Sequence, residues 1–450
     1  MIARWAAVLT RLSQRYLPDP FIFVILLSLV VFVMGLLIAG QTPFQMILHW
    51  QNGFWNLLTF AMQMCLVIVL GYAVADSPVV NRWLKTWADS IQSSRQAVYI
   101  VALVSVIGGM ISYGFGLVLG ALFAMEVGKS GLRRNIPMHY PLLGAAAYLS
   151  LMVWHAGLSG SAPLLVATEG HFLQDKIGII PVVHTLFSPM NLFVIVCQLL
   201  FVPLFALLVH PKDEKDLLPL DRILPEAEWT ASASTTDATA KALTPAEKLE
   251  NSRILSWIIA LAGLIYLVYH FATKGFDLNL NVLNALFLFV GILLHGTPMN
   301  YVRSIAEGTK GVSGVLLQFP FYAGIAGMMA DSGLVQIIAG WFVHISNAVT
   351  YPLFTFISAA IVNFFVPSGG GQWAVQGPVM IEAAATLGVS YEKTIMTLAY
   401  GDQLTNMMQP FWALALLGIT RLKASQIIGY STAIMLLSTW IYVVASFLPA

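Results

Sequence analysis

Four short polar islands interrupt long apolar segments of this 450-residue chain, and they are the places where chemistry could occur. Ser112-Tyr113-Gly114-Phe115-Gly116 and Pro367-Ser368-Gly369-Gly370-Gly371-Gln372-Trp373 combine hydroxyls with glycines. His155-Ala156-Gly157-Leu158-Ser159-Gly160-Ser161 and Gly401-Asp402-Gln403-Leu404-Thr405-Asn406 add ionisable groups. Unwound backbone at membrane depth is tolerated only where it is buried in protein or lines a cavity. A helix that resumes after such a break presents free N–H groups and a positive dipole end, which suits an anion without a basic residue. No lysine or arginine falls in any island. The islands therefore suit a small carboxylate held by backbone and side-chain donors. The candidate binding residues are Ser112, Gly114, Gly116, His155, Ser159, Gly160, Ser161, Ser368, Gly369, Gly370, Gly371, Gln372, Trp373, Gln403, Thr405 and Asn406.

Asp402 stands at mid-span, where a carboxylate costs about 2.5–3.5 kcal/mol on insertion scales. That cost suggests a coupling site for H⁺ or Na⁺; the plainer reading is a hydrogen-bonded structural acid. His155 could bind substrate or relay a proton, or simply satisfy carbonyls freed at the break. Asn363, Thr405 and Asn406 offer oxygens suited to a bound Na⁺, although Asn and Thr also cap broken helices. Trp154, Trp373 and Trp412 flank three islands and could wall a pocket for a short acyl chain; packing roles compete with that reading. No metal centre and no cofactor beyond a possible bound Na⁺ is expected.

The elements that position these islands are membrane spans. The chain is 58% hydrophobic and 10% charged, against roughly 45–50% and 25% for soluble domains. Its mean hydropathy is +0.80. Net charge is +1, which gives no sign of a nucleic-acid partner, and Cys65 and Cys197 read as buried free thiols. Residues 1–16 look like an interfacial helix, and the run 20–40 like a retained first span. Apolar segments follow at 56–75, 97–127, 139–166, 185–210, 253–272, 277–296, 312–330, 351–387, 394–418 and 426–448. Segments 97–127 and 351–387 exceed the roughly 20 residues that a crossing helix needs, and glycines interrupt both. Read as re-entrant hairpins, with the N-terminus inside, they leave 19 basic residues cytoplasmic and 3 outside. Read as crossings, they give 10 against 12. The positive-inside rule favours hairpins, nine crossings, a cytoplasmic N-terminus and a periplasmic C-terminus in an inner membrane. The polar stretch 211–252 reads as a cytoplasmic, largely disordered linker.

The two halves match each other. At an offset of 255, Thr42-Pro43 meets Thr297-Pro298, Gly53 meets Gly308, Gln63 meets Gln318, and Ala75-Asp76-Ser77 meets Ala330-Asp331-Ser332. Repeat 1 spans 1–210, a connecting span covers 253–275, and repeat 2 covers 276–450. The connecting span makes the crossings between the repeats odd in number and so inverts the second. The expected fold is an all-α polytopic membrane protein of two inverted repeats. Each holds a re-entrant hairpin (97–127, 351–387) and a broken helix (139–166, 394–418), with amphipathic stretches 42–55 and 297–310 along the membrane surfaces. This is the architecture of secondary transporters, with the site near mid-membrane.

Three other classes fit less well. Gly157-Leu158-Ser159-Gly160 matches the G-x-S-G of intramembrane serine proteases, but the spans after 394 carry no histidine to serve as base. Gly128-Lys129-Ser130 ends like a nucleotide-binding loop, yet Phe123 stands where the first glycine is required. A channel would not call for paired hairpins and inverted repeats.

The sequence resembles the bacterial short-chain fatty acid transporter family along its whole length. The strings that carry the resemblance are Leu17-Pro18-Asp19-Pro20, Gly53-Phe54-Trp55-Asn56-Leu57-Leu58, Gly114-Phe115-Gly116-Leu117, Ser159-Gly160-Ser161, Gln318-Phe319-Pro320-Phe321-Tyr322-Ala323-Gly324-Ile325, Val366-Pro367-Ser368-Gly369-Gly370-Gly371 and Gln409-Pro410-Phe411-Trp412-Ala413-Leu414. The resemblance implies uptake of short monocarboxylates such as acetoacetate and butyrate. It also implies kinship with a superfamily of homodimeric elevator transporters. Four positions depart from the family pattern: Ser112 stands for Asn, Tyr113 for Trp, His155 for Gly, and Asp402 for a Glu-like residue. The tip and pocket are thereby expected to differ in size, coupling ion or substrate.

Overall fold

The computed structural model describes residues 20–225, 244–409 and 412–450. The interfacial helix expected at 1–16 and most of the linker lie outside the described residues. Every regular element among the described residues is helical. In the first half these are α1 (Pro20–Leu37), α2 (Pro43–Gly53), α3 (Leu58–Ala75), α4 (Pro78–Ser90), α5 (Ser94–Ile111), α6 (Tyr113–Arg133), α7 (Tyr140–Tyr148), α8 (Ser161–Val166), the short α9 (Gln174–Ile177) and α10 (Val182–Thr185), and α11 (Pro189–Leu208). After α12 (Pro245–Glu250) and α13 (Arg253–Lys274) come α14 (Leu280–His295), α15 (Pro298–Thr309), α16 (Ser313–Asp331), α17 (Leu334–Ile345), α18 (Tyr351–Val362), α19 (Gly369–Leu387), α20 (Tyr391–Thr405), α21 (Leu414–Thr420) and α22 (Ala424–Ala445). Eight helices among the described residues are long and apolar enough to cross a membrane, α13 among them.

The helix starts follow from local chemistry. Thr42 and Thr297 are N-caps, each followed by proline at the first helical position, where its missing N–H costs nothing. Ser77-Pro78 starts α4 in the same way. This surface helix was not foreseen as an element, and neither was its counterpart α17. α4 buries Leu84 and Ala88 and exposes Trp83 and Trp87, which stack 5.7 Å apart. That is the pattern of a helix lying at a membrane–water boundary.

Both overlong segments are antiparallel helical hairpins. In the first, α5 and α6 meet so closely that a Cβ on Gly120 would lie 2.5 Å from Ser105 Oγ. The chain reverses at Ser112, which is fully extended. In the second, Gln372 Nε2 donates to Ala359 O (2.9 Å), Gln376 Nε2 donates to Ser358 Oγ (2.9 Å), and the Tyr351 hydroxyl donates to Met380 O (2.5 Å). Both broken spans are broken. α7 passes through 3-10 turns at 149–152 and 154–156 before α8, and α20 passes through one at 406–408 before α21.

The linker needs correction where it is described. Residues 211–225 are folded against the first half, with Leu217, Leu220 and Leu224 buried. Leu218 O accepts the Tyr140 N–H (2.9 Å), and the Leu218 N–H donates to His139 Nδ1 (3.1 Å). Those leucines recur at helical spacing, a periodicity hidden among mixed charges.

The two halves embrace through reciprocal contacts. A Cβ on Gly53 of α2 would lie 2.6 Å from Ala323 O of α16, and one on Gly308 of α15 would lie 3.1 Å from Val69 O of α3. At the same joints His49 stands 3.6 Å from Asp331, and Ser304 Oγ donates to Asp76 Oδ2 at 2.9 Å. Positions 49 and 304, and 76 and 331, are each separated by the offset of 255.

Candidate functional site

Hairpin tips and helix breaks converge on one buried polar cluster. Each hairpin grips the broken helix of its own half. On the first side the Tyr113 N–H donates to Ser159 Oγ (3.0 Å) and the Leu158 N–H to Met110 O (2.6 Å). On the second, Asn363 Nδ2 donates to Asp402 O (2.6 Å), Asn406 Oδ1 (2.8 Å) and Thr405 Oγ1 (2.9 Å). Thr405 Oγ1 donates onward to Ala360 O (3.1 Å), and Gln409 Nε2 donates to Asn363 O (2.7 Å). Of the oxygens read from the sequence as suited to Na⁺, Thr405 Oγ1 and Asn406 Oδ1 accept from Asn363 Nδ2, while Asn363 Oδ1 is buried and makes no hydrogen bond within the chain. Among the described residues no group of three or more His, Cys, Asp or Glu could hold a metal ion.

The centre of the cluster joins the two halves. His155 Nε2 and Asp402 Oδ1 are 3.0 Å apart, and each side chain is 1% exposed. The His155 backbone N–H donates to Gln403 Oε1 (2.9 Å), while Gln403 Nε2 donates to the Tyr442 hydroxyl (3.2 Å). Trp154 packs against the imidazole with centroids 3.6 Å apart, and Tyr113 packs against Trp154 at 4.7 Å. Trp412 closes this aromatic group, 6.5 Å from Trp154. Trp373 is buried elsewhere, against Gly377 of its own helix.

The glycines serve close approach. A side chain on Gly369 would collide with the His155 ring, so the second tip closes directly on the imidazole. Gly370 faces Phe60 and Phe319, and Gly371 faces Tyr322. Gly114 lies on Ile68 of α3, Gly116 on Gly108 and Gly109 within the hairpin, and Gly160 on the His155 carbonyl. Several hydroxyls read as substrate donors have structural duties as well. Ser368 Oγ caps α19 by accepting the Gly371 N–H, and Ser159 and Thr405 hold the tips. Gln372 ties the second hairpin together.

What remains uncommitted is informative, because a buried polar atom without a partner is costly. His155 Nδ1, Asp402 Oδ2, Ser112 Oγ, Ser161 Oγ, Trp154 Nε1, Asn406 Nδ2 and Gln372 Oε1 are buried and make no hydrogen bond within the chain. α8 and α21, the helices that resume after the two breaks, are 6 and 7 residues long. Their dipoles are therefore small, and these side-chain atoms are the stronger candidates for substrate contact.

Sequence reasoning missed the supports. Asn191 Nδ2 donates to the carbonyls of Ala156 (2.8 Å) and Leu186 (2.7 Å), and its Oδ1 accepts from the Tyr400 hydroxyl (2.9 Å). The Tyr148 hydroxyl reaches the carbonyls of Asn406 and Gln409, and Tyr442 that of Met152. The available signal was a lone Asn191 or Gln198 within an otherwise apolar span. Apart from the cluster, a crevice of about 480 Å³ is lined by Asn52, Leu57, Phe172, Lys176, Ala323 and Ala374, none of which belongs to the cluster. Beside it Lys176 pairs with Glu382 at 3.2 Å.

A protease arrangement is not formed: Ser159 Oγ holds Tyr113, and His155 Nε2 faces Asp402. The fold is that of transporters of known structure. The Alcanivorax borkumensis YdaH transporter matches with a TM-score of 0.55 at 18% identity, covering 95% of this chain and 97% of its own. Neisseria gonorrhoeae MtrF, described within a class of antimetabolite efflux pumps, matches with a TM-score of 0.57 at 15% identity, covering 98% and 96%. Two sequence relatives carry the name "Putative short-chain fatty acid transporter". The one from Escherichia coli (strain K12) is 43% identical over 447 residues, and the one from Haemophilus influenzae (strain ATCC 51907 / DSM 11121 / KW20 / Rd) is 41% identical over 452. Each match covers 99% of both chains. The family model described as "Short chain fatty acid transporter" matches residues 1–448. This multi-pass membrane protein, a transporter and not an enzyme, belongs to the short-chain fatty acid transporter family.

Proposed function

We propose that this chain takes up short monocarboxylates such as acetoacetate or butyrate across the bacterial inner membrane, driven by a coupled ion. The observation that carries the reading is the convergence of two hairpin tips and two broken helices on one buried cluster whose unpartnered polar atoms outnumber its charges. A small anion with a short apolar tail fits such a place. Its carboxylate meets donors such as Ser112, Ser161 and Trp154 Nε1, and its tail meets the Tyr113–Trp154–Trp412 rings.

Movement follows an elevator scheme. The hairpins and broken spans grip each other as one block, while α1, α11, α14 and α22 with the surface helices form a dimeric frame around it. The repeats are inverted, the N-terminus is cytoplasmic and the C-terminus periplasmic. The reciprocal α2–α16 and α15–α3 joints support this arrangement, because each surface helix clasps the span of the other half.

The test is uptake of labelled acetoacetate and butyrate into proteoliposomes, corrected for protein-free liposomes, with Na⁺ and pH gradients imposed separately. Saturable monocarboxylate uptake is expected. Dicarboxylate transport without monocarboxylate uptake would overturn the substrate class and leave the architecture standing. A crosslink that fixes a hairpin to the frame should arrest transport; undiminished turnover would sink the elevator scheme.

A further inference from the structure

The buried pair of His155 and Asp402 carries the reading above one step further, to the identity of the coupled ion. Among the described residues Asp402 is the one carboxylate in the fully buried set, and that set contains no lysine or arginine. Its Oδ1 lies 3.0 Å from His155 Nε2, so the proton of the neutral imidazole belongs on Nε2, donated to the carboxylate. The ring cannot turn this arrangement over freely. Trp154 packs on one face, and Gly369 of the second hairpin presses on the Nε2–Cε1 edge. The edge left over is Nδ1, buried and without a partner.

In the neutral ring Nδ1 is a lone pair. A carboxylate is an acceptor only and cannot sit opposite a lone pair. A carboxylate can therefore occupy this place only together with a proton, either added to Nδ1 from water or brought in on the acid itself. The charge balance is simple. The empty pair, neutral imidazole and carboxylate, carries one negative charge. The loaded site holds an imidazolium between Asp402 and the substrate anion and again carries one negative charge. The other titratable groups facing the pair are phenols: Tyr322 from α16, Tyr113 from α6, and Tyr442 from α22 through Gln403. None of them supplies a competing cation.

We propose that His155, oriented by Asp402, carries one proton with each monocarboxylate, so that this protein is an electroneutral proton–carboxylate symporter in which Asp402 is the positioning residue. The inference rests on the monocarboxylate reading and is tested on the full-length protein in liposomes with labelled acetoacetate and an entrapped pH dye. The wild type is expected to take up acetoacetate when the outside is acid, with one proton entering per acetoacetate. A membrane potential alone should drive no net uptake, and a Na⁺ gradient at equal pH should drive none. His155→Gln keeps a donor toward Asp402 but has no titrating edge. It should lose the stimulation by a pH gradient, and the pH dependence of its residual exchange should flatten. Asp402→Asn should shift that pH dependence in place of removing it, because the imidazole survives but loses its counter-charge. Uptake driven by Na⁺ or by potential in the wild type overturns the proton assignment alone. So does undiminished pH-driven uptake by His155→Gln. Absence of labelled exchange in the wild type overturns the substrate reading and this inference with it. The wild-type stoichiometry decides the matter even if a variant fails to fold.

Discussion

Asn363 has two amide hydrogens and three oxygen acceptors within 2.9 Å, all inside the protein. Its replacement by alanine strands those oxygens where water is scarce. Losing a buried partner costs about 1–3 kcal/mol. Asn363→Ala should therefore lower the thermal unfolding midpoint of the detergent-solubilised protein and loosen the second tip; an unchanged midpoint would show that the clamp is not structural. Gly369 makes a sharper case. A Cβ there would overlap the His155 ring and lie 2.7 Å from Trp154 Cη2, and both rings are packed from behind. Gly369→Ala should abolish acetoacetate uptake while the protein still inserts and elutes as wild type. Wild-type turnover would mean that the tip does not close on His155 during transport. At this scale the sequence located the islands but not their internal assignments. Ser159, Ser368 and Thr405 are hydroxyls at breaks, and a hydroxyl at a break serves a neighbouring backbone group as readily as a ligand. The pairing of His155 with Asp402 joins residues 247 apart in sequence, a distance that only the fold closes.

The hairpins, breaks and surface helices were legible because each has a local cause: a glycine-rich centre, an overlong apolar run, or a Thr-Pro start. α4 was not, because Arg82, Lys85 and Asp89 mask its apolar face. The folded part of the linker was hidden for the same reason. The loop after α8 shows how one side chain can hold an element. His171 is buried; its Nε2 bonds Gly178 O at 2.8 Å, and its Nδ1 accepts the Leu173 N–H at 3.3 Å. Both bonds are made with one proton, on Nε2. Burial holds this imidazole below its ordinary value near 6.5, and the bond to Gly178 opposes the shift. The unfolded chain thus binds the proton first, and stability falls as pH drops below about 6.5 toward the lower native value. Proteolysis of loop 167–178 should quicken between about pH 7.5 and 5.5. His171→Gln should flatten that dependence, and an equal acid response in the variant would assign the effect elsewhere.

At the scale of the whole molecule, the helix order from α1 to α6 is followed again from α14 to α19, and the two halves clasp each other through α2–α16 and α15–α3. If the copies are inverted, the loops before the two hairpins face opposite compartments. In a background with Cys65 and Cys197 replaced, Lys85→Cys should react with an impermeant maleimide only after the membrane is opened, and Asn347→Cys should react in intact cells. Labelling of both from one side would refute the inversion and leave the repeat in place. The inversion is what the basic-residue count predicts, because lysine and arginine mark the cytoplasmic side of each loop. What it could not give is the close fit of the halves, which depends on the glycines and carbonyls where they touch.

One helix stands apart from that fit. α13 exposes Ile254, Trp257, Ile258, Ile265 and Tyr269, and it packs through a narrow stripe of Ser256, Ala260, Gly263, Leu267 and His270. In the finished protein it contributes little more than a shoulder to α14. It is long and apolar enough to cross a membrane, and a single crossing there would set the parity of everything inserted after it. Exchanges along its lipid-facing side should be tolerated as freely as changes of paint. If the copies are inverted, removing the passage whole would thread the second the same way up as the first, with every joint between them pointing at the wrong partner.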